Sequence, residues 1–289
     1  MKHIGRLALF LFLAVNAFFI GMLLLTAYSP YINPEVHPVQ SCLGLTFPIF
    51  LVINFCFLVF WLIVRYRLAL VPLLGFLLCY PQIRTYMPIN MEPSGQPENS
   101  IKLLSYNIMS FGNMKKENGQ NPILNYIKNS KADIVCMQEY AGSETAKIHL
   151  NNKEIRQALK DYPYRHIKQV GKTGAGSQIA CYSKFPILSA RMLDYQSNYN
   201  GSMVYDIKIG KDTVLLINNH LESNKLTRED KVVYEDMLKD PKAGKVKSGI
   251  RQLVNKLAEA SAIRSAQARA IAQEIARSPY PSVIVCGDF

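Results

Sequence analysis

The chain has 289 residues, 49% hydrophobic and 19% charged, with 33 basic against 21 acidic residues and a formal net charge of +12. So much apolar content excludes an intrinsically disordered chain, and the uneven placing of the charges excludes one that is water-soluble throughout. The six cysteines form no C-x-x-C pair, which removes zinc-ribbon and thioredoxin-type readings.

Before Asn90 the only charged residues are Lys2, Arg6, Glu35, Arg65, Arg67 and Arg84. Two uncharged runs, residues 7–27 and 43–64, reach the roughly 20 residues that a helix needs to cross a bilayer. Pro48 lies in the first turns of the second, where it is tolerated. A shorter third run, 68–83, carries Pro72 and Pro81. Together they predict a transmembrane anchor over residues 1–90 rather than a cleaved signal peptide, since no small-residue cleavage site follows the first run. Lys2 and Arg6 precede the first run, Arg65 and Arg67 separate the second and third, and residues 28–42 contain no Lys or Arg. The positive-inside rule then puts the N-terminus in the cytoplasm and, with three spans, everything after about Met91 outside. The expectation is an integral protein of a bacterial inner membrane with an extracytoplasmic soluble domain.

Residues 91–100 (MEPSGQPENS) read as a linker. Beyond them strands and helices alternate: strand 101–107, helix 122–129, strand 133–138, helix 147–159, and strands 177–183, 203–209 and 213–218. A long helix follows over 248–277, with Ile250, Leu253, Val254, Leu257, Ile263, Ile271 and Ile275 at helical spacing, and then strand 283–286. The charged stretch 224–247 has no strong period and reads as a surface insertion. The alternation predicts a layered α/β domain over 101–289 with sheet in the middle. The segment VGKTGAGS (170–177) is similar to a phosphate-binding loop, but that loop needs a glycine where this chain has His166. A turn into the following strand is the simpler reading.

Four apolar runs each deliver a polar residue at their C-terminal end: LSYN (104–107), IVCMQE (134–139), LLINNH (215–220) and IVCGD (284–288). If those ends share one edge of the sheets, Asn107, Glu139, His220 and Asp288 converge on one pocket. Hard oxygen donors of this kind suit Mg²⁺ or Mn²⁺.

The segments SYNIMSFG (105–112), DIVCMQEY (133–140), GSQIACYSKFPI (176–187), NNHLES (218–223) and GDF (287–289) resemble the endonuclease/exonuclease/phosphatase superfamily, the group of deoxyribonuclease I, AP endonucleases and neutral sphingomyelinases. The resemblance covers residues 101–289. It implies an α/β fold built as a two-layer β-sandwich flanked by helices, and a metal-dependent phosphoester hydrolase. It implies Glu139 as the metal ligand with Asn107 beside it, His220 as the residue that meets the scissile phosphate or assists the leaving group, and Asp288 as the group that orients the attacking water. Lys184 and Arg264 are candidate phosphate contacts. Substrates within reach of a basic, membrane-attached domain are nucleic acid, a phospholipid headgroup or a sugar phosphate, beside the lipid bilayer itself. The family pattern continues past Gly-Asp-Phe with an asparagine, a later aspartate and a histidine base. The domain is therefore expected to be incomplete at Phe289, with a non-catalytic binding module that retains the metal pocket as the alternative reading.

Overall fold

The computed structural model describes residues 2–90, 95, 97, 100–112, 119–142, 150–171, 177–195, 197–224, 226–239 and 243–289. They form two compact units, Met1–Ser94 with Asn224–Ser265, and Gly95–Ser223 with Ala266–Phe289.

The first unit opens with α1 (Lys2–Ala27), α2 (Pro38–Ser41), α3 (Phe47–Arg65), α4 (Leu70–Leu78) and α5 (Tyr80–Tyr86). By length and composition, two stretches can cross a membrane, Leu7–Ala27 and Pro38–Leu78. Their few polar side chains are used inside the bundle. Trp61 Nε1 donates to Asn16 Oδ1 at 2.9 Å, and Asn54 Nδ2 donates to the carbonyls of Phe19 and Phe50 at 2.9 and 2.8 Å. Pairing 16 with 61 and 19 with 54 makes α1 and α3 antiparallel. Leu7, Phe10 and Ile63 point outward and are exposed, as lipid-facing residues would be. The run expected as a third span is broken. Pro81 has no N–H for the carbonyl four residues earlier, so α4 and α5 meet at Cys79. Nine residues of α4 cover only about 14 Å, too little to cross alone. The Tyr86 ring at the end of α5 packs edge-on against Phe47 at the start of α3, with centroids 5.8 Å apart.

The second unit contains β1 (Leu103–Asn107), α6 (Pro122–Ser130), β2 (Ile134–Tyr140), α7 (Asn152–Ala158), β3 (Tyr164–Gln169), β4 (Gln178–Ser183), β5 (Ile187–Met192), β6 (Gly201–Ile209), β7 (Asp212–His220) and β8 (Ser282–Asp288). The strands form two mixed sheets ordered β1-β2-β4-β3 and β5-β6-β7-β8. Only β1 with β2 and β7 with β8 run parallel. The sheets face each other across Ile134, Cys136, Ile179 and Cys181 on one side and Met203, Tyr205, Leu216 and Cys286 on the other. The outer face of the first sheet, through Val135, Met137 and Tyr182, is covered by Ile123, Leu124 and Ile127 of α6 and Ile155 of α7. The outer face of the second carries Val204, Leu215 and Ile217 against Ile271. Strand periodicity of 2 sets this up: alternate residues serve the sandwich core and the helical cover. The layered sandwich is the fold class expected.

Local chemistry fixes the helix ends. Asn121 Oδ1 accepts from the N–H of Ile123 and Leu124, Pro122 takes the first helical position, and Lys131 closes α6 in the left-handed region. Asn151 caps α7 with one bond, its Oδ1 accepting the N–H of Lys153 at 2.7 Å. The segment read as a surface insertion contains α8 (Arg228–Lys239), started by a reciprocal box in which Thr227 N donates to Asp230 Oδ2 and Asp230 N to Thr227 Oγ1. Asp230 is then held by Gln252 and Lys256 of α9 (Ala243–Ala276). Residues 147–149 of the expected helix 147–159, most of the linker 91–100 and the glycine turn at 172–176 lie outside the described residues.

Candidate active site

The site is built where β1, β2, β7 and β8 end. Register places Asn107 beside Gln138 in one sheet and His220 beside Asp288 in the other. Gln138 Nε2 donates to Asn218 Oδ1 at 2.6 Å across the sandwich, tying the two sheets just below the site.

Glu139 reaches it through a backbone irregularity. Along β2, Cys136 and Gln138 face inward and Met137 faces the helices, so plain alternation would send Glu139 outward and bury Tyr140 inside. Between Met137 and Tyr140 the register to β4 shifts, and Glu139 adopts φ 51°. This bulge absorbs one residue. Tyr140 returns to the helical side, packed on Phe111, while the Glu139 carboxylate turns into the site. Met109, Ser110 and Phe111 also have positive φ (43°, 57° and 64°). Left-handed backbone costs roughly 1–2 kcal/mol per non-glycine residue and concentrates at functional positions. Glu139 and Ser110 line the groove and Met109 N donates to Asn107, while Phe111 packs behind Tyr140 and Lys131 is the α6 cap.

Asp288 uses a glycine instead. Gly287 has φ 142°, and a Cβ there would collide with the Asn219 backbone. Its absence lets β8 lie close against β7 and carry Asp288 to the level of His220, where Leu221 N donates to Asp288 O at 2.9 Å.

Asn107 joins the carboxylates. Its Nδ2 donates to Glu139 Oε1 at 2.9 Å and to Asp288 Oδ2 at 2.8 Å, while its Oδ1 accepts the Met109 N–H at 3.1 Å. His220 Nε2 lies 3.7 Å from Glu139 Oε1 and 3.9 Å from Asp288 Oδ2. One ligand atom each from Glu139, His220 and Asp288 falls within 4.8 Å of the others. Two carboxylates and an imidazole at this spacing fit a divalent cation with hard-donor preference. The His220 ring is only 7% exposed, against 38% for Glu139 and 49% for Asp288. Burial pushes its pKa below the ordinary value, with Glu139, Asp288 and Glu222 pulling the other way. At neutral pH it is a neutral imidazole. Ser110, Ser177, Tyr199 and Asn200 border the groove above these groups.

Of the six residues singled out from sequence, the structure brings four together: Asn107, Glu139, His220 and Asp288. Lys184 is elsewhere. Antiparallel β4 starts at the site with Gln178, so Lys184 lies about 20 Å away at ~3.4 Å per residue, paired with Asp133 at 3.0 Å. Arg264 belongs to the first unit, where it donates to Asn224 Oδ1 at 2.7 Å. Sequence reading missed Ser177, Tyr199 and Asn200, which come from loops with no hydrophobic period to flag them.

The family model of the endonuclease/exonuclease/phosphatase family matches residues 104–289. The chain belongs to this family. Its members are phosphoester hydrolases, and the four convergent residues sit within the matched part. A second model, described as a domain of unknown function, matches residues 9–86. Comparison with curated protein sequences gives no match. Among solved structures, a humanized TDP2 of D. rerio matches with TM-score 0.38 and 13% identity, covering 65% of this chain and 61% of that one. SmcL matches with TM-score 0.39 and 16% identity, covering 66% and 63%. ANGEL2, described as a 2′,3′-cyclic phosphatase, matches with TM-score 0.31 and 22% identity, covering 45% and 43%. The chain thus spans less than two thirds of the length of these structures.

Proposed function

We propose that this chain is a membrane-anchored, Mg²⁺- or Mn²⁺-dependent phosphoester hydrolase acting on phosphodiesters. The observation that carries the reading is the meeting of Glu139, Asp288, His220 and Asn107 at the ends of four strands from two sheets. Glu139 and Asp288 would hold the cation, with Asn107 and His220 Nε2 at its border; a divalent ion there supplies charge neutralisation for an anionic ester.

The chain's own groups account for the rest. His220, neutral at pH 7 and aimed at the groove, can accept a proton from water or return one to a leaving oxygen. Asp288, half exposed and an acceptor only, orients water by its hydrogens. Asn107 fixes the spacing between the two carboxylates. Ser177 Oγ occupies the Nδ1 side of the ring at 3.1 Å, which leaves Nε2 for proton exchange.

Anchoring rests on the two apolar stretches of the first unit. The placing of Lys2, Arg6, Arg65 and Arg67 favours a catalytic unit on the side opposite the N-terminus, and the return of Tyr86 to the Phe47 end of the bundle agrees with it.

The test is hydrolysis of bis-p-nitrophenyl phosphate by the full chain in detergent, with Mg²⁺ and with EDTA. Glu139→Ala should cost about a thousandfold in turnover, the equivalent of ~4 kcal/mol. His220→Ala should also depress it. Turnover that ignores EDTA and both substitutions would defeat the reading.

A further inference from the structure

Ser177 stands directly behind His220. Its Oγ lies 3.1 Å from His220 Nδ1 and 3.4 Å from the carbonyl oxygen of Tyr199. The serine is pinned at both backbone ends: its N–H donates to Tyr199 O at 3.2 Å, and its carbonyl accepts from Val170 N at 2.9 Å. The Tyr199 loop is pinned in turn. Asn200 N donates to Ser197 Oγ, Ser197 Oγ donates to Glu222 Oε2, and Asn200 Nδ2 donates to Leu221 O. Gly171, at φ 88°, makes the approach possible, because a Cβ there would press into Asn198 and Tyr199.

Only one arrangement of the protons in this chain of contacts uses both contacts of Ser177 Oγ. A carbonyl can only accept, so in that arrangement Ser177 donates its one hydroxyl proton to Tyr199 O, beside its own N–H. Oγ then accepts, and the proton it accepts is Nδ1–H. The opposite tautomer is poorer. Ser177 Oγ–H would then donate to Nδ1 and give up Tyr199 O, and Nε2–H would face Glu139 and Asp288 across 3.7 and 3.9 Å, beyond hydrogen-bonding reach.

We infer that Ser177 is the positioning residue of His220, holding it as the Nδ1–H tautomer so that Nε2 offers a lone pair where Glu139 and Asp288 converge. The role resembles the outer hydrogen bond that orients metal-site histidines in general, with a hydroxyl relayed to a carbonyl in place of a carboxylate. Its bearing on cation binding rests on the function proposed above; the tautomer itself does not.

The full chain, labelled with ¹⁵N-histidine and held metal-free in detergent at pH 8, reports the tautomer through long-range ¹H–¹⁵N correlations, with His220→Gln giving the assignment. Wild type should show a protonated Nδ1 and a bare Nε2. Ser177→Ala should shift His220 towards Nε2–H, and Ser177→Thr should restore the wild-type pattern. Mn²⁺ titration followed by electron paramagnetic resonance should show about tenfold weaker binding in Ser177→Ala, recovered in Ser177→Thr. A wild-type spectrum with Nε2 protonated, or an alanine variant that keeps the wild-type tautomer, overturns the inference. Wild type that binds no Mn²⁺ overturns the metal reading instead, while the metal-free spectra still decide the tautomer.

Discussion

Strands β2 and β8 read almost alike, an apolar run ending in a carboxylate, yet they are built on opposite principles. β2 is hydrogen-bonded on both sides, and Ile134 to Gln138 are all buried. β8 is an edge, paired among the described residues with β7 alone; Cys286 is buried, but Val285 is 39% exposed. The central strand turns its carboxylate by a strained bulge, which dense packing on both faces can hold. The edge strand uses Gly287, which needs no such support. The position of a strand in its sheet decides which device is available for aiming a terminal carboxylate.

Three measurements can break or sharpen this contrast. The largest effect is on packing: Met137→Ala should cost about 3 kcal/mol of unfolding free energy, and Val285→Ala less than about 1 kcal/mol. Equal losses in urea titrations would mean that β8 is as enclosed as β2. Next comes the bulge. In an ordinary strand, glycine is worse than alanine by about 0.5–1 kcal/mol. At Glu139 the order should invert, with Glu139→Gly about 1 kcal/mol more stable than Glu139→Ala. The usual order would show that the positive φ carries no strain.

The smallest effect is that of pH. Burial lowers the pKa of His166 in the first sheet and of His220 in the second. Groups held neutral when folded contribute stability that is present above the unfolded value of 6.5 and is lost as pH falls through the folded value. The urea midpoint should therefore decline between pH 7.5 and about 5. His166→Gln should remove one part of the slope and His220→Gln another. A slope unchanged in both variants would count against the burial argument.

Much of the site was legible because each of its four strands announces its end with a polar residue after an apolar run: Asn107, Glu139, His220, Asp288. The α/β character followed from the alternation of periods. Two strands were not legible. β3 (YRHIKQ) is a largely exposed edge without an apolar face, and β5 (ILSARM) is another edge. Helix α8 was hidden by charge, since its start depends on the Thr227–Asp230 box rather than on a hydrophobic stripe. Lys184 was misplaced because strand direction is a tertiary property: antiparallel pairing sends the end of β4 away from the site. The bulge at Glu139 depends on pairing with β4, and Ser177 acts through a loop closed only by the fold.

The bridge made by Asn107 bears on the order of events in this protein's life. Two carboxylates brought together by separate sheets repel one another, and many metal sites cannot close until the ion arrives. Here a neutral amide already donates to both Glu139 and Asp288. The sandwich can therefore seal without a cation, and under the function proposed above an ion would enter a finished site instead of recruiting it. Loading would then be a late and reversible event, set by the supply of ions around the folded protein.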